Sequence, residues 1–188
     1  MAIYQKQGTI PQKRHTVFRR QDGALYHEEL FGTEGFSSTS SLVYHLYPPT
    51  MVKSIGEPYS VKPELGIEEN LKALSFAGMD VEPEDDYLQS RKVFFFNDDL
   101  LIGMAAPKKS MESYFFKNAD SDELLFIHKG SGQCKTMYGT IDFEYGDYVL
   151  LPRGTVYQLK FNTPENKILV VESHSPIRTP KRYRNEFG

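Results

Sequence analysis

The 188-residue sequence predicts a mainly β protein: a jelly-roll barrel preceded by an N-terminal β arm, with one or two short helices. Three observations carry that prediction. From Arg91 onward, short runs rich in β-branched and aromatic residues follow one another at regular spacing. Turn signals built from Gly, Pro, Asn and Asp separate the runs. Helical periodicity is confined to one good candidate segment, which excludes the alternating crossover helices of a parallel sheet.

The arm comes first, over residues 1–54. "HTVFRR" and "ALYHEEL" flank "QDG", a hairpin-type turn in which Gly23 can take a positive φ. "SSLVYHLYPPT" alternates as a further strand and stops at Pro48 and Pro49, because proline has no N–H to give a ladder. Residues 55–90 read as a helical and acidic connection. In "PELGIEENLKALSFAG", Ile67, Leu71 and Leu74 fall on one stripe, Pro63 suits the entry and Gly78 the exit, predicting a helix. "MDVEPEDDYLQS" follows as an acidic surface connection. The barrel is expected over residues 91–173, from "KVFFF", "LLIGMAA", "ESYFFK", "ELLFIHK", "QCKTMYG", "TIDFEYG", "DYVLLP", "VYQLKF" and "KILVVES". Residues 174–188 lose the apolar pattern, gain Pro and Arg, and read as a linker toward a further, C-terminal domain.

Composition narrows the function classes. Lys plus Arg number 22 against 25 Asp plus Glu, a net charge of −3 that argues against a broad nucleic-acid footprint. The longest apolar runs are too short for a membrane helix, and "MAIYQKQGTIPQKRH" has no apolar core of a secretory signal. The single cysteine, Cys134, forms no internal disulfide framework and suits a reducing compartment. A cytoplasmic protein without membrane or nucleic-acid partner is the expectation. At this size about 70% of the unfolded chain's surface becomes buried on folding, so no staple is required.

Two segments resemble the paired signatures of the cupin superfamily. Glu123 is followed after six residues by Gly130, and Gly146 leads through Pro152 to Gly154. The glycines permit positive φ where hairpins close, and Pro152 ends a strand. Metal-binding cupins carry two histidines before the glutamate and a third after the second segment, a donor set suited to Fe(II), Mn or Zn. Here residues 117–122 are Lys-Asn-Ala-Asp-Ser-Asp, and Tyr157 stands at the late histidine position. Three of the four ligands are absent. Glu123 and Tyr157 are therefore candidates for polar groups in a barrel pocket rather than metal ligands. His15, His27, His45, His128 and His174 show no H-x-H or H-x-x-x-H spacing, and no phosphate-binding loop or nucleophile elbow appears.

The sequence also resembles homogentisate 1,2-dioxygenase, in its N-terminal, metal-free, cupin-like half. The resemblance lies in "LYHEELFGTEGFSSTSSLVYHLYPPT" (Leu25 to Thr50), in Lys108 to Phe161, and in the closing "KRYRNEFG"; it is weakest over residues 55–90. Ser110-Met111-Glu112, the turn from Asn118 to Glu123 and the Pro152-Arg153-Gly154 corner are its specific parts. The resemblance implies an Fe(II)-dependent opening of the homogentisate ring by O₂ to maleylacetoacetate, in tyrosine and phenylalanine catabolism. It implies that the iron is bound by a C-terminal half, since full-length members are roughly twice this length. No catalytic or metal-binding residue of the family maps onto this chain, which alone is expected to be inactive. A homo-oligomer, a hexamer built from trimers, is implied too, with Phe36, Tyr44 or Tyr47 covering a neighbouring surface. The chain's close inside a basic, aromatic stretch carries the expectation that it is a first half. The alternative is a stand-alone metal-free cupin that binds a small molecule in its barrel, and a catalytic cupin with unrecognised ligands ranks behind both.

Overall fold

The computed structural model describes residues 17–37, 40–49, 51–67 and 72–183. The chain forms two compact units, Met1–Lys62 and Pro63–Gly188.

In the first unit β1 (His27–Phe31) and β2 (Ser41–His45) pair antiparallel, with His27 opposite His45. The strand expected over "HTVFRR" reduces to one bridge, Arg19 to Leu25, around a turn in which Gly23 has φ 81°. Residues 15 and 16 of that expectation lie outside the described residues. Tyr44 is half-buried, its ring edge-on to Phe18 at 4.8 Å, whereas Phe36 and Tyr47 are 97% and 81% exposed.

The second unit carries nine strands among its described residues. They are β3 (Arg91–Phe96), β4 (Leu100–Ala105), β5 (Phe116–Lys117), β6 (Asp122–Lys129), β7 (Gly132–Thr136), β8 (Gly139–Phe143), β9 (Tyr148–Leu151), β10 (Val156–Phe161) and β11 (Lys167–Ser173). Each falls on a run that the sequence marks as a strand. They form two antiparallel sheets, ordered β3-β4-β11-β6-β9 and β5-β10-β7-β8. Alternate residues of both sheets meet in one core: Leu125, Ile127, Val149, Leu151, Ile168 and Val170 from the first, Cys134, Phe143, Tyr157 and Leu159 from the second. Period-two alternation is what sends these side chains to one side. Gly130, Gly146 and Gly154 have φ of 104°, 92° and 84°, as the turn reading requires. At Gly130 a Cβ would lie 2.2 Å from Asn166 Oδ1, so close packing adds to the backbone demand for glycine.

Two expectations need correction. The helix placed over residues 63–78 does not form in its described parts: 63–67 and 72–77 are irregular, and residues 68–71 lie outside the described residues. Ile67 and Leu74 are 89% and 53% exposed. A helix of this length is marginal in water and depends on burying its apolar stripe, which these two residues do not do. The helical content among the described residues is two short 3₁₀ turns, Gly78–Asp80 and Lys181–Tyr183. The acidic connection over 79–90 is likewise more than a surface strap. The Asp86 carboxylate accepts the N–H groups of Leu88 and Gln89, at 3.0 and 3.1 Å, and the turn so formed drives Tyr87 into the core at 0% exposure.

Candidate functional site

Glu123 and Tyr157 come from opposite sheets and meet. Tyr157 Oη donates to Glu123 Oε2 at 2.8 Å, with both side chains fully buried. On β11, Glu172 lies directly opposite Glu123 of β6. Like charges facing each other across a ladder repel, so this pair needs a cation. Arg91, at the start of β3, supplies it: its guanidinium pairs with Glu172 and approaches Glu123 Oε1 at 3.5 Å. Its Cζ lies 5.5 Å from the centroid of the Tyr87 ring, a cation–π contact. Asn118 Nδ2 donates to Glu172 Oε2 at 3.1 Å, while Asn118 Oδ1 accepts from the N–H groups of Asp120 and Ser121 and so shapes its own turn.

The electrostatics follow from burial. Loss of water pushes the Glu123 carboxyl up from its ordinary value, and Arg91 and the Tyr157 hydroxyl pull it back down. The Tyr157 and Tyr87 hydroxyls are both raised, first by burial. The Cys134 thiol is pushed up to about 12 by burial and by the Glu123 charge, so it is a core residue and not a nucleophile. The Tyr87 hydroxyl lies near the Tyr157 hydroxyl and the Glu123 carboxylate, but none of these contacts has the geometry of a full hydrogen bond.

A second network holds the end of β11. The Asp122 carboxylate accepts Arg153 N–H at 2.9 Å and Ile177 N–H at 2.8 Å, tying the chain beyond the last strand to β6. Ser121 Oγ bonds His174 Nδ1 at 2.8 Å, and Arg153 Nη2 donates to the His174 carbonyl at 3.1 Å. The acidic turn before Glu123 is thus a fastening.

The histidines separate. His27 faces His45 in register and His45 Nε2 meets Glu29 Oε2 at 2.8 Å; His128 is exposed, His174 is engaged by Ser121, and His15 lies outside the described residues. Among the described residues no group of three or more His, Cys, Asp or Glu could hold a metal ion. Around Glu123 the donor set does not fit iron, since the groups nearest the carboxylate are a guanidinium and a phenol. Sequence reasoning singled out Glu123 and Tyr157 as candidate groups of a barrel pocket and did not single out Tyr87, Arg91 or Glu172, which the structure brings beside them. The available signal was Asp86-Tyr87, an aromatic residue inside an acidic turn immediately before a strand.

Comparison with known proteins gives the following similarities. Residues 93–182 match the N-terminal domain of homogentisate 1,2-dioxygenase. This region is thus similar to the N-terminal domain of a dioxygenase family. A protein of Saccharolobus solfataricus, provisionally named a dioxygenase, is 37% identical over all 188 residues, which cover 48% of its length. The homogentisate 1,2-dioxygenase of Pseudomonas fluorescens is 36% identical over 73 residues, 38% of this chain and 17% of that one. The chain therefore spans about half the length of the archaeal relative. Among solved structures, a cupin-2 domain protein of Shewanella frigidimarina matches 45% of this chain and 79% of its own at 20% identity, with TM-score 0.40. KdgF from Halomonas matches 46% and 78% at 14% identity, with TM-score 0.41. No helix among the described residues is long and apolar enough to cross a membrane.

Proposed function

We propose that this chain is the N-terminal region of a homogentisate 1,2-dioxygenase, with a structural and assembly role and no iron site of its own. The reaction of the whole enzyme is the opening of the homogentisate ring by O₂ to maleylacetoacetate, within tyrosine and phenylalanine breakdown. Fe(II) offers open coordination positions for such chemistry. In this reading the other half of the polypeptide holds it, and the assembled enzyme is a cytoplasmic homo-oligomer. The observation that carries the reading is the match over residues 93–182, joined to a domain interior whose carboxylates are engaged by Arg91. The test is iron content and homogentisate-dependent O₂ uptake, measured on the 188-residue chain and on the polypeptide its reading frame encodes. The expected result is neither in the former and both in the latter. One iron per 188-residue chain after Fe(II) loading would overturn the metal-free assignment. A stop codon directly after Gly188 would overturn the two-part reading.

A second reading, a free-standing metal-free cupin with a small molecule in its interior, is favoured by the Tyr87 hydroxyl, which is buried beside Tyr157 and Glu123 without a well-formed hydrogen bond. Tyr87→Phe separates the two. A buried hydroxyl without a well-formed hydrogen bond costs stability, so its removal leaves an assembly domain as stable as before or more so. A ligand that used the hydroxyl would instead make the wild type lose its advantage when the protein is stripped of small molecules under denaturant and refolded.

A further inference from the structure

We infer that the outer face of the five-stranded sheet is the seat of the second half of the full-length polypeptide; the inference rests on the two-part reading above. An antiparallel sheet with one solvated face alternates apolar inward and polar outward. This sheet does not. The register sets Phe95, Ile102, Val171, Leu124 and Leu150 side by side in one row that crosses all five strands. Each lies on the face opposite the core residues Leu125, Val149 and Val170. In the neighbouring row Phe126 packs on Tyr148 at 4.5 Å between ring centroids. Phe76 of the same unit meets Phe95 edge-on at 5.0 Å, yet Phe95, Leu150 and Tyr148 remain 49%, 41% and 66% exposed. Strands apolar on both faces belong to sheets that are covered on both faces, and a contiguous apolar patch of this kind marks a contact surface.

Chain geometry selects the occupant. The last strand, β11, is the central strand of this same sheet. Beyond it the chain is clamped at the sheet's end by Asp122, which accepts the Ile177 N–H at 2.8 Å. The chain thus leaves this domain from the central strand of the sheet that carries the patch. In the archaeal relative more than half of the length lies outside the match, 48% of it being covered. A tethered domain beginning there meets this face at high effective concentration, an advantage that a free partner lacks.

Thiol labelling tests the assignment, because the one native cysteine is buried and its thiol is held protonated at neutral pH. Tyr148→Cys puts a thiol on the patch. Tyr145→Cys puts one on the adjoining turn, 74% exposed and off the sheet face. Maleimide labelling is followed site by site by mass spectrometry, at low and high protein concentration, in the 188-residue chain and in the polypeptide encoded by the extended reading frame. The expected result is that the Tyr148→Cys thiol reacts about ten-fold or more slowly in the extended polypeptide at every concentration, while the Tyr145→Cys thiol reacts alike in both. Equal rates at the Tyr148→Cys site would overturn the inference and leave the two-part reading intact. Protection in the 188-residue chain that vanishes on dilution would assign the face to a second copy, and protection there at all concentrations to another part of this chain; either overturns the inference. A reading frame that stops after Gly188 removes the two-part reading and the inference with it.

Discussion

The two faces of the five-stranded sheet invert the common arrangement at one end. The inward face carries Glu123, buried, and Glu172, half-buried, opposite each other with one guanidinium between them. The outward face carries Phe95, Ile102, Val171, Leu124 and Leu150 in one register row. Charge inside is costly unless paired, and apolar surface outside is costly unless covered. The inner face meets its cost within the domain, through Arg91, Tyr157 and Asn118. Among the described residues the outer face is covered from within the domain only toward β3, where Phe76 packs on Phe94 and Phe95, and the difference separates what this domain does for itself from what it offers to a partner.

The contrast breaks most sharply at Arg91. Arg91→Ala leaves two opposed carboxylates without their cation, and breaking a buried pair from one side costs about 3–5 kcal/mol. Urea unfolding of the variant is expected to show a loss of that order. Adding Glu123→Gln to it should recover part of the loss, since one of the stranded charges is then gone. A single-variant loss below about 1 kcal/mol would mean that water reaches the carboxylates and that the inner face is not a sealed network.

Tyr157→Phe probes the same network from the opposite sheet. It removes the 2.8 Å hydrogen bond to a carboxylate that is itself buried, with little change in packing. The expected loss is about 2 kcal/mol, the range for a hydrogen bond to a charged group. Equality with the wild type in the same unfolding assay would refute the bond.

A pH series sharpens the point. Burial raises the folded-state value of Glu123 above the ordinary 4.5, so the folded state binds its proton more tightly than the unfolded state does. The stability this group contributes is complete below the unfolded value and is lost as pH rises through the folded one. Glu123→Gln, which cannot ionise, is therefore expected to gain on the wild type as pH climbs from below 4.5 into the neutral range. A difference that stays flat with pH, or that runs the other way, would show that Arg91 outweighs burial.

The fold was legible because its signals are local. Each of the nine strands from Arg91 to Ser173 sits on a run that alternates or is β-rich, and Gly130, Gly146 and Gly154 take the positive φ that their turns imply. The helix failed for a physical reason: a stripe at Ile67 and Leu74 states what a helix would bury, not whether a surface exists to bury it against. The site was half legible. Glu123 and Tyr157 sit at recognisable positions in paired motifs, whereas Arg91 and Glu172 arrive from strands 32 residues before and 49 residues after Glu123, and only the register brings them together.

The smallest expected effect lies on the other face. Tyr148 belongs to β9, an edge strand of the sheet, and is 66% exposed, so its ring contributes one stacked contact with Phe126 and little burial. Tyr148→Ser in the 188-residue chain should change the unfolding free energy by no more than about 0.5 kcal/mol, as exposed positions usually do. In a longer polypeptide whose second half rests on this face, the same substitution removes an aromatic anchor from an interface, where aromatic residues concentrate binding energy. Its cost there should rise to about 1–2 kcal/mol, read as an earlier separation of the two halves in a denaturant series followed at both. A substitution silent in one context and costly in the other is what an outward face held in reserve for a partner requires; equal, small effects in both would make the apolar row an ordinary feature of an isolated sheet.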